Sequence, residues 1–374
     1  MTLNIVIFGL AITSSWGNGH AVTYRALTKA LKARGHRVTF LERDVPWYRE
    51  HRDLEAPAFC RVELYSELKE VSLRFQELVA NADLVILGSY VPDGIILADW
   101  ITSCAPGVTA FYDIDTPVTL AGLKAGDVGY ISSALIPRFD LYLSFTGGPA
   151  LGLIEDLYGS PRARTLYCAA DPEVHAQCEL PAKWTLGYLG TYSADRQLAL
   201  EQLLLEPANR LTSRQFVVAG AQYPKSVRWP TNVVRIEHVS PAEHPNFYGQ
   251  QRYTLNITRA DMVSAGFSPS VRLFEAAACG VPIITDRWAG LDSIFTSGEE
   301  IVVVDNPQQV IHVLEELPEE GRRSIAAAAR KRLLTSHTPE HRARQLEDYY
   351  GEVVSPKRPR SGNGRMKTVE LHTN

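Results

Sequence analysis

Short runs rich in β-branched and aromatic residues alternate along the chain with longer stretches whose apolar positions recur every three to four residues. That alternation is the pattern of a doubly wound parallel sheet. In the first half the runs 4–8, 37–41, 83–87, 108–112 and 141–145 predict strands. Between the first two, residues 24–33 put Leu27, Ala30 and Leu31 on one helical face and end with Gly35 at a C-cap position, which makes one βαβ unit. A second series predicts strands at 185–189, 215–219, 233–237, 253–257, 282–285 and 301–304. The polar stretch that opens with Asp171-Pro172 suits an interdomain hinge. Two Rossmann-like domains are expected, residues 1–170 and 171–337, each with its own parallel sheet. Helical patterns at 318–335 and 339–350 close the chain, and a helix at about 338–352 is expected to pack back on the first domain. A basic tail at 355–374, with Lys357, Arg358, Arg360, Arg365 and Lys367, is expected to be disordered. It reads either as a solvated end or as a contact for an anionic membrane or acceptor.

Composition agrees with two domains, since 374 residues with 45% hydrophobic and 21% charged exceed what one core usually holds. The net charge of -4 is spread over interleaved acidic and basic residues, so no nucleic-acid partner is expected. Cys60, Cys104, Cys168, Cys178 and Cys279 form an odd set without a C-x-x-C pair or zinc-like His spacing and read as reduced thiols. The apolar run 5–12 is broken by Gly9 and followed by polar residues, with no basic leader. A cytoplasmic protein without stable membrane insertion is expected.

Ligands of open α/β sheets sit outside the carboxyl ends of the strands, so the candidate chemistry lies in the loops that follow them. The loop from Gly9 to His20 opens the first helix, and its Gly17 and Gly19 let backbone approach a ligand. Val22 stands where a dinucleotide fingerprint needs its third glycine, so NAD is not expected. His20 reads either as a base for an acceptor hydroxyl or as a capping or packing histidine. Asp113 and Asp115 follow the strand at 108–112. Such a pair can orient His20, bind acceptor hydroxyls or hold a divalent metal. Asp115, followed by Thr116 and Pro117, suits a helix N-cap, which leaves the cleft role to Asp113.

The most informative stretch is NITRADMVSAGFSPSVRLFEAAACGVPIITD, residues 256–286. A helix is expected to start near Ser268-Pro269-Ser270 and to offer open N–H groups to a phosphate. Glu275 lies about two turns along, amid Leu273, Phe274, Ala276, Ala277 and Ala278. Bidentate acceptance from two ribose hydroxyls would explain a carboxylate there, and the alternatives are a pair with Arg272 or solvent exposure.

This stretch resembles the donor-binding signature of GT-B glycosyltransferases, carried here by Glu275, Gly280, Pro282, Ile283 and Ile284. More narrowly, GYLGTYSADRQ (187–197) and SPSVRLFEAAACG (268–280) are similar to the CgeB-type group, which is named after a spore maturation protein. The resemblance implies a GT-B fold and transfer of a sugar from a nucleotide sugar, UDP or dTDP, to an unidentified acceptor. It implies Glu275 as the ribose-binding carboxylate, Gly190 and Thr191 in the loop approaching the donor phosphates, and Arg196 and Arg259 as charges for the diphosphate. Ser268 and Ser270 would place the helix N-terminus at that diphosphate, so neither a metal nor another cofactor is expected. Trp288, Gly290 and Leu291 follow the next strand as candidate lining of the sugar or base pocket, with packing the alternative for Trp288. One departure matters: retaining relatives carry E-x7-E, and Phe267 occupies the earlier glutamate position. A loop histidine such as His20 resembles the base of inverting enzymes. Closure about Asp171-Pro172 would exclude water from the donor. A nucleotide-sugar 2-epimerase and a non-catalytic sugar-nucleotide binding protein remain as rival readings.

Overall fold

The computed structural model describes residues 1–17, 19–178 and 180–355, so nearly all of the basic tail lies outside the described residues. Seven strands form the first sheet: β1 (Asn4–Gly9), β2 (Arg37–Arg43), β3 (Arg61–Tyr65), β4 (Leu84–Gly88), β5 (Val108–Asp113), β6 (Leu141–Ser144) and β7 (Ala163–Thr165). Their order is β3-β2-β1-β4-β5-β6-β7, and every pairing is parallel. Six more build the second: β8 (Trp184–Leu189), β9 (Phe216–Ala219), β10 (Val233–Ile236), β11 (Gln251–Asn256), β12 (Ile283–Thr285) and β13 (Val302–Val303). That sheet runs β10-β9-β8-β11-β12-β13, again all parallel.

Helices cover both faces of each sheet, which is why the central strands are continuously apolar. Along β1, Ile5 and Ile7 enter one core while Val6 and Phe8 enter the core on the opposite face. Strands β3 and β7 were not expected from the sequence pattern. β3 is an edge strand with Arg61 and Glu63 in it, and β7 has only three residues, so neither carries a clear apolar run.

The helix Pro339–Val354 leaves the second domain and lies along the helix Gly19–Ala33, putting Ala343, Leu346 and Tyr350 into the core that holds Leu27, Leu31 and Tyr112. Arg34 grips Glu340 and Glu347 from that helix, and Arg164 grips Glu352. The two domains touch directly as well. Thr146 and Ser268 share a hydroxyl hydrogen bond of 2.8 Å, and the Gly147 amide donates to the Phe267 carbonyl at 2.9 Å.

Candidate active site

In each sheet the strand order reverses about the first strand, between β1 and β4 and between β8 and β11, and the loops at such a switch point leave a crevice. The two crevices face each other and enclose a cavity of about 560 Å³. Its first-domain wall includes Trp16, Gly17, Gly19, His20, Tyr90 and Asp115, and its second-domain wall includes Gly190, Thr191, Arg196, Arg259, Arg272 and Glu275. Trp16 crosses the cleft. Its ring stacks on His51 of the first domain at 4.5 Å and meets His238 of the second at 4.5 Å.

The long loop after β1 is held from below by two carboxylates. Glu42, fully buried on β2, accepts from the Ile12 amide at 2.6 Å, the Thr13 amide at 3.0 Å and the Thr13 hydroxyl at 2.5 Å. Asp53 accepts from the Ser15 amide and hydroxyl and pairs bidentately with Arg25. So held, the loop delivers His20 in the first turn of its helix, where Nε2 lies 3.8 Å from Asp115 Oδ2 and the ring meets Tyr90 edge-on at 5.5 Å.

The two aspartates exchange the places expected of them. Asp113, expected in the cleft, is fully buried beneath it, accepting from Tyr142 at 2.5 Å and Thr119 at 2.7 Å, and does not line the cavity. Burial raises its pKa to about 6, against the lowering effect of those two donors. Asp115 does precede the helix Thr116–Ala125, but its side chain caps no amide and faces the cavity beside His20. Asp113 is the last residue of β5, whereas Asp115 lies beyond the strand at φ -128° and ψ 47° ahead of the helix, so the strand's period of two, which would put both on one face, no longer holds at Asp115.

On the opposite wall the loops after β8 and β9 come into van der Waals contact. A Cβ on Gly220, at φ +144°, would lie 2.0 Å from the Gly190 carbonyl oxygen, and one on Gly190 would lie 2.9 Å from Arg272 Nη2. Three guanidiniums gather behind this pair of glycines. Arg196 donates to the Thr191 carbonyl at 2.7 Å while its Nε has no partner. Burial lowers its pKa, and Arg272 and Arg259 push it the same way. Arg272 lies over the Tyr188 ring and donates to Leu189 O and Asn256 Oδ1. No ion pair engages any of the three among the described residues. With Asp195 acting on Arg196 and Arg259 only from beyond ion-pair distance, the cluster keeps excess positive charge and is a site for a polyanion.

Ser270 precedes the helix Val271–Ala278, lines the cavity, and donates to Asn256 Oδ1 at 2.7 Å. Four sequence expectations fail here. Ser268 is fully buried against Thr146, and Trp288 and Leu291 belong to the second domain's core. Gly290 lies against the Phe267 ring, and none of these four lines the cavity. Phe267 itself, at φ +48°, wedges between Gly148 and Gly290 and so fills the domain junction.

Glu275 is buried and lines the cavity, and it pairs with neither Arg272 nor solvent. Its carboxylate accepts from the Tyr248 hydroxyl at 3.2 Å and lies 3.7 Å from His244 and 3.9 Å from His175. Sequence reasoning missed Arg272 as part of the cationic cluster, and it missed Glu42, Tyr248, His175 and His244. His244 and Tyr248 stand one turn apart on the helix His244–Gly249, and His175 comes from the link between the domains, so a local spacing joins two of them and only the fold brings them to Glu275.

Residues 196–348 match a family model described as "Glycosyl transferase-like". No curated protein matches the chain. Among solved structures it is similar to a sucrose-phosphate synthase from Thermosynechococcus elongatus at 14% identity and a TM-score of 0.68, over 94% of this chain and 99% of that one. It is also similar to an alpha-glucosyltransferase in complex with UDP-glucose and abasic DNA, at 12% identity and a TM-score of 0.73, over 94% and 100%. A third is Anabaena HepE in complex with UDP and glucose, at 10% identity and a TM-score of 0.69, over 94% and 100%. No helix among the described residues is long and apolar enough to cross a membrane. The second half of this chain thus carries a glycosyltransferase-family segment, and the whole described chain folds as the GT-B glycosyltransferases do.

Proposed function

We propose that the protein transfers a sugar from a UDP or dTDP sugar to an acceptor hydroxyl with inversion at the anomeric carbon. The observation that carries this reading is the cluster of Arg196, Arg259 and Arg272, none of them in an ion pair among the described residues, placed in one cavity with buried Glu275. The guanidiniums and the amides at the start of the Val271–Ala278 helix take the donor diphosphate, and Glu275 accepts from the ribose hydroxyls. UDP is favoured because similar structures hold UDP or UDP-glucose. As the acceptor oxygen forms its bond to the anomeric carbon, His20 takes the hydroxyl proton, and the diphosphate leaves with the electron pair of the broken C–O bond. Asp115 stabilises the imidazolium that forms. The arginines neutralise the leaving group, so no Mg²⁺ or Mn²⁺ is needed there. Residues 1–170 with the last helix form the acceptor side, and 171–337 the donor side. The similarity of 187–197 and 268–280 to the CgeB-type group extends the reading to that group, and a cytoplasmic location goes with it.

A thermal-shift screen against UDP, dTDP and GDP and their sugars tests this. The expected outcome is stabilisation by one nucleotide without added Mg²⁺ or Mn²⁺, lost in Glu275→Ala. No stabilisation of the folded wild type by any of them would overturn the donor site. Binding with no donor consumption across acceptors would identify a sensor, and an altered sugar released without acceptor an epimerase.

A further inference from the structure

We propose that His175, His244 and Glu275 together bind a divalent transition-metal ion of the zinc class at the floor of the cavity. The three come from distant segments: His175 from the link between the domains, His244 from the first residue of the helix His244–Gly249, and Glu275 from the helix Val271–Ala278. Their donor atoms converge within 4.8 Å of one another. His175 Nε2 lies 3.2 Å from His244 Nδ1 and 3.9 Å from Glu275 Oε1, and His244 Nδ1 lies 3.7 Å from Glu275 Oε2.

The two imidazoles stand 3.2 Å apart, a distance that suits either a hydrogen bond or two ligands of one ion, and the longer separations to Glu275 favour the ion. Zinc ligands at about 2.0–2.1 Å in a tetrahedron stand about 3.3 Å apart. The two imidazole-to-carboxylate separations are too long for a hydrogen bond and are a few tenths of an ångström wider than that ligand spacing. Charge points the same way. Glu275 is 4% exposed, and no Lys or Arg pairs with it among the described residues. Its one hydrogen-bond donor there is the neutral Tyr248 hydroxyl. Ribose hydroxyls would add neutral donors and leave the buried charge uncompensated.

The tautomer of His175 is suited to a ligand. Its Nδ1 lies 3.3 Å from the Asp171 carbonyl, so the Nδ1–H donates outward and Nε2 turns its lone pair to the other two groups. Two imidazoles and one carboxylate select zinc-class ions over Mg²⁺ or Ca²⁺, which prefer all-oxygen shells. The ion would fix the orientation of Glu275. Its site is separate from the arginine cluster that takes the leaving group, and the proposal stands whether or not the donor is a nucleotide sugar.

Metal-stripped full-length protein, without nucleotide, is titrated with Co²⁺ and read by its visible d–d absorption, and retained Zn²⁺ is counted after gel filtration. One equivalent is expected, with the intense bands of a four- or five-coordinate site. His175→Gln and His244→Gln should each weaken Co²⁺ binding by about tenfold or more with unchanged circular dichroism. Cys168→Ser and Cys279→Ser, which replace the buried thiols near Glu275, should leave the bands in place. Should a histidine variant misfold, zinc-edge X-ray absorption of the wild type decides, with a nitrogen and oxygen shell at about 2.0–2.1 Å and imidazole scattering expected. No retained metal, or a sulfur shell, overturns the proposal and leaves a His175–His244 hydrogen bond in its place. Nucleotide-induced stabilisation is measured separately, so loss of this site and loss of the donor site are distinguishable.

Discussion

Asp113 and Asp115 stand two positions apart and meet opposite environments. Burial holds Asp113 up to about 6, so folding binds a proton that the unfolded chain, with its ordinary carboxylate, has released. Its stabilising contribution is therefore complete below the unfolded value and lost as pH rises through about 6. Urea midpoints from pH 4 to 7 should show this as a difference between wild type and Asp113→Asn. The difference should amount to roughly 2–3 kcal/mol across the window, with wild type losing ground as pH rises. Asp115 and His20 make a kinetic prediction instead. His20→Ala should lower kcat by about 10²–10⁴ while leaving nucleotide affinity unchanged, and Asp115→Asn should give a smaller loss. A His20→Ala enzyme of full activity would exclude the histidine as base. The positions of both aspartates after a strand were legible in the sequence. Which of them faces the cavity was not, since it depends on where the strand ends and how the turn after Asp113 bends.

At the scale of elements, the glycine contact between the loops after β8 and β9 lets both approach the arginines. Gly220→Ala adds a methyl 2.0 Å from a carbonyl oxygen, at a φ that L-residues rarely adopt, so the loops must part. Calorimetric titration with the stabilising nucleoside diphosphate should show at least about tenfold weaker binding. The matched nucleoside should lose much less. Arg196→Ala should show the same preference for diphosphate loss, because it removes charge together with the hydrogen bond to the Thr191 carbonyl and adds no clash. Unchanged diphosphate affinity in both variants would move the anion elsewhere. Most strands were legible because a parallel strand buried on both faces is an uninterrupted apolar run, as β1 and β4 are. The helix around Glu275 was legible from its small residues and its serine start. Ser268, Trp288, Gly290 and Leu291 were misread because nearness in sequence to that helix says nothing about the side of the chain they pack on, and all four pack away from the cavity. Of the partners of Glu275, His244 and Tyr248 share a helix at a spacing of four, but nothing local ties either of them to Glu275 or to His175.

For the whole molecule, the chain passes between the domains twice, once through the link that carries His175 and once ahead of the helix Pro339–Val354. At that second passage Arg342 is buried between the Tyr167 and Phe274 rings and donates to His337, whose pKa burial pushes down to about 3. The last helix is therefore part of the first domain's core in space though not in sequence. Leu346→Ala, at 1% exposure, should cost about 2–5 kcal/mol by urea unfolding. The loss should fall on the first sheet and leave nucleotide affinity of the folded protein unchanged. Equal destabilisation of the second sheet would instead mean that the two cores unfold as one unit. During synthesis this arrangement sets an order of events. The strands β1 to β7 leave the ribosome long before Ala343, Leu346 and Tyr350, so the apolar face of Leu27, Leu31 and Tyr112 must wait uncovered while the whole second domain is made. The second domain can finish its own core first, and the first domain is the last to close.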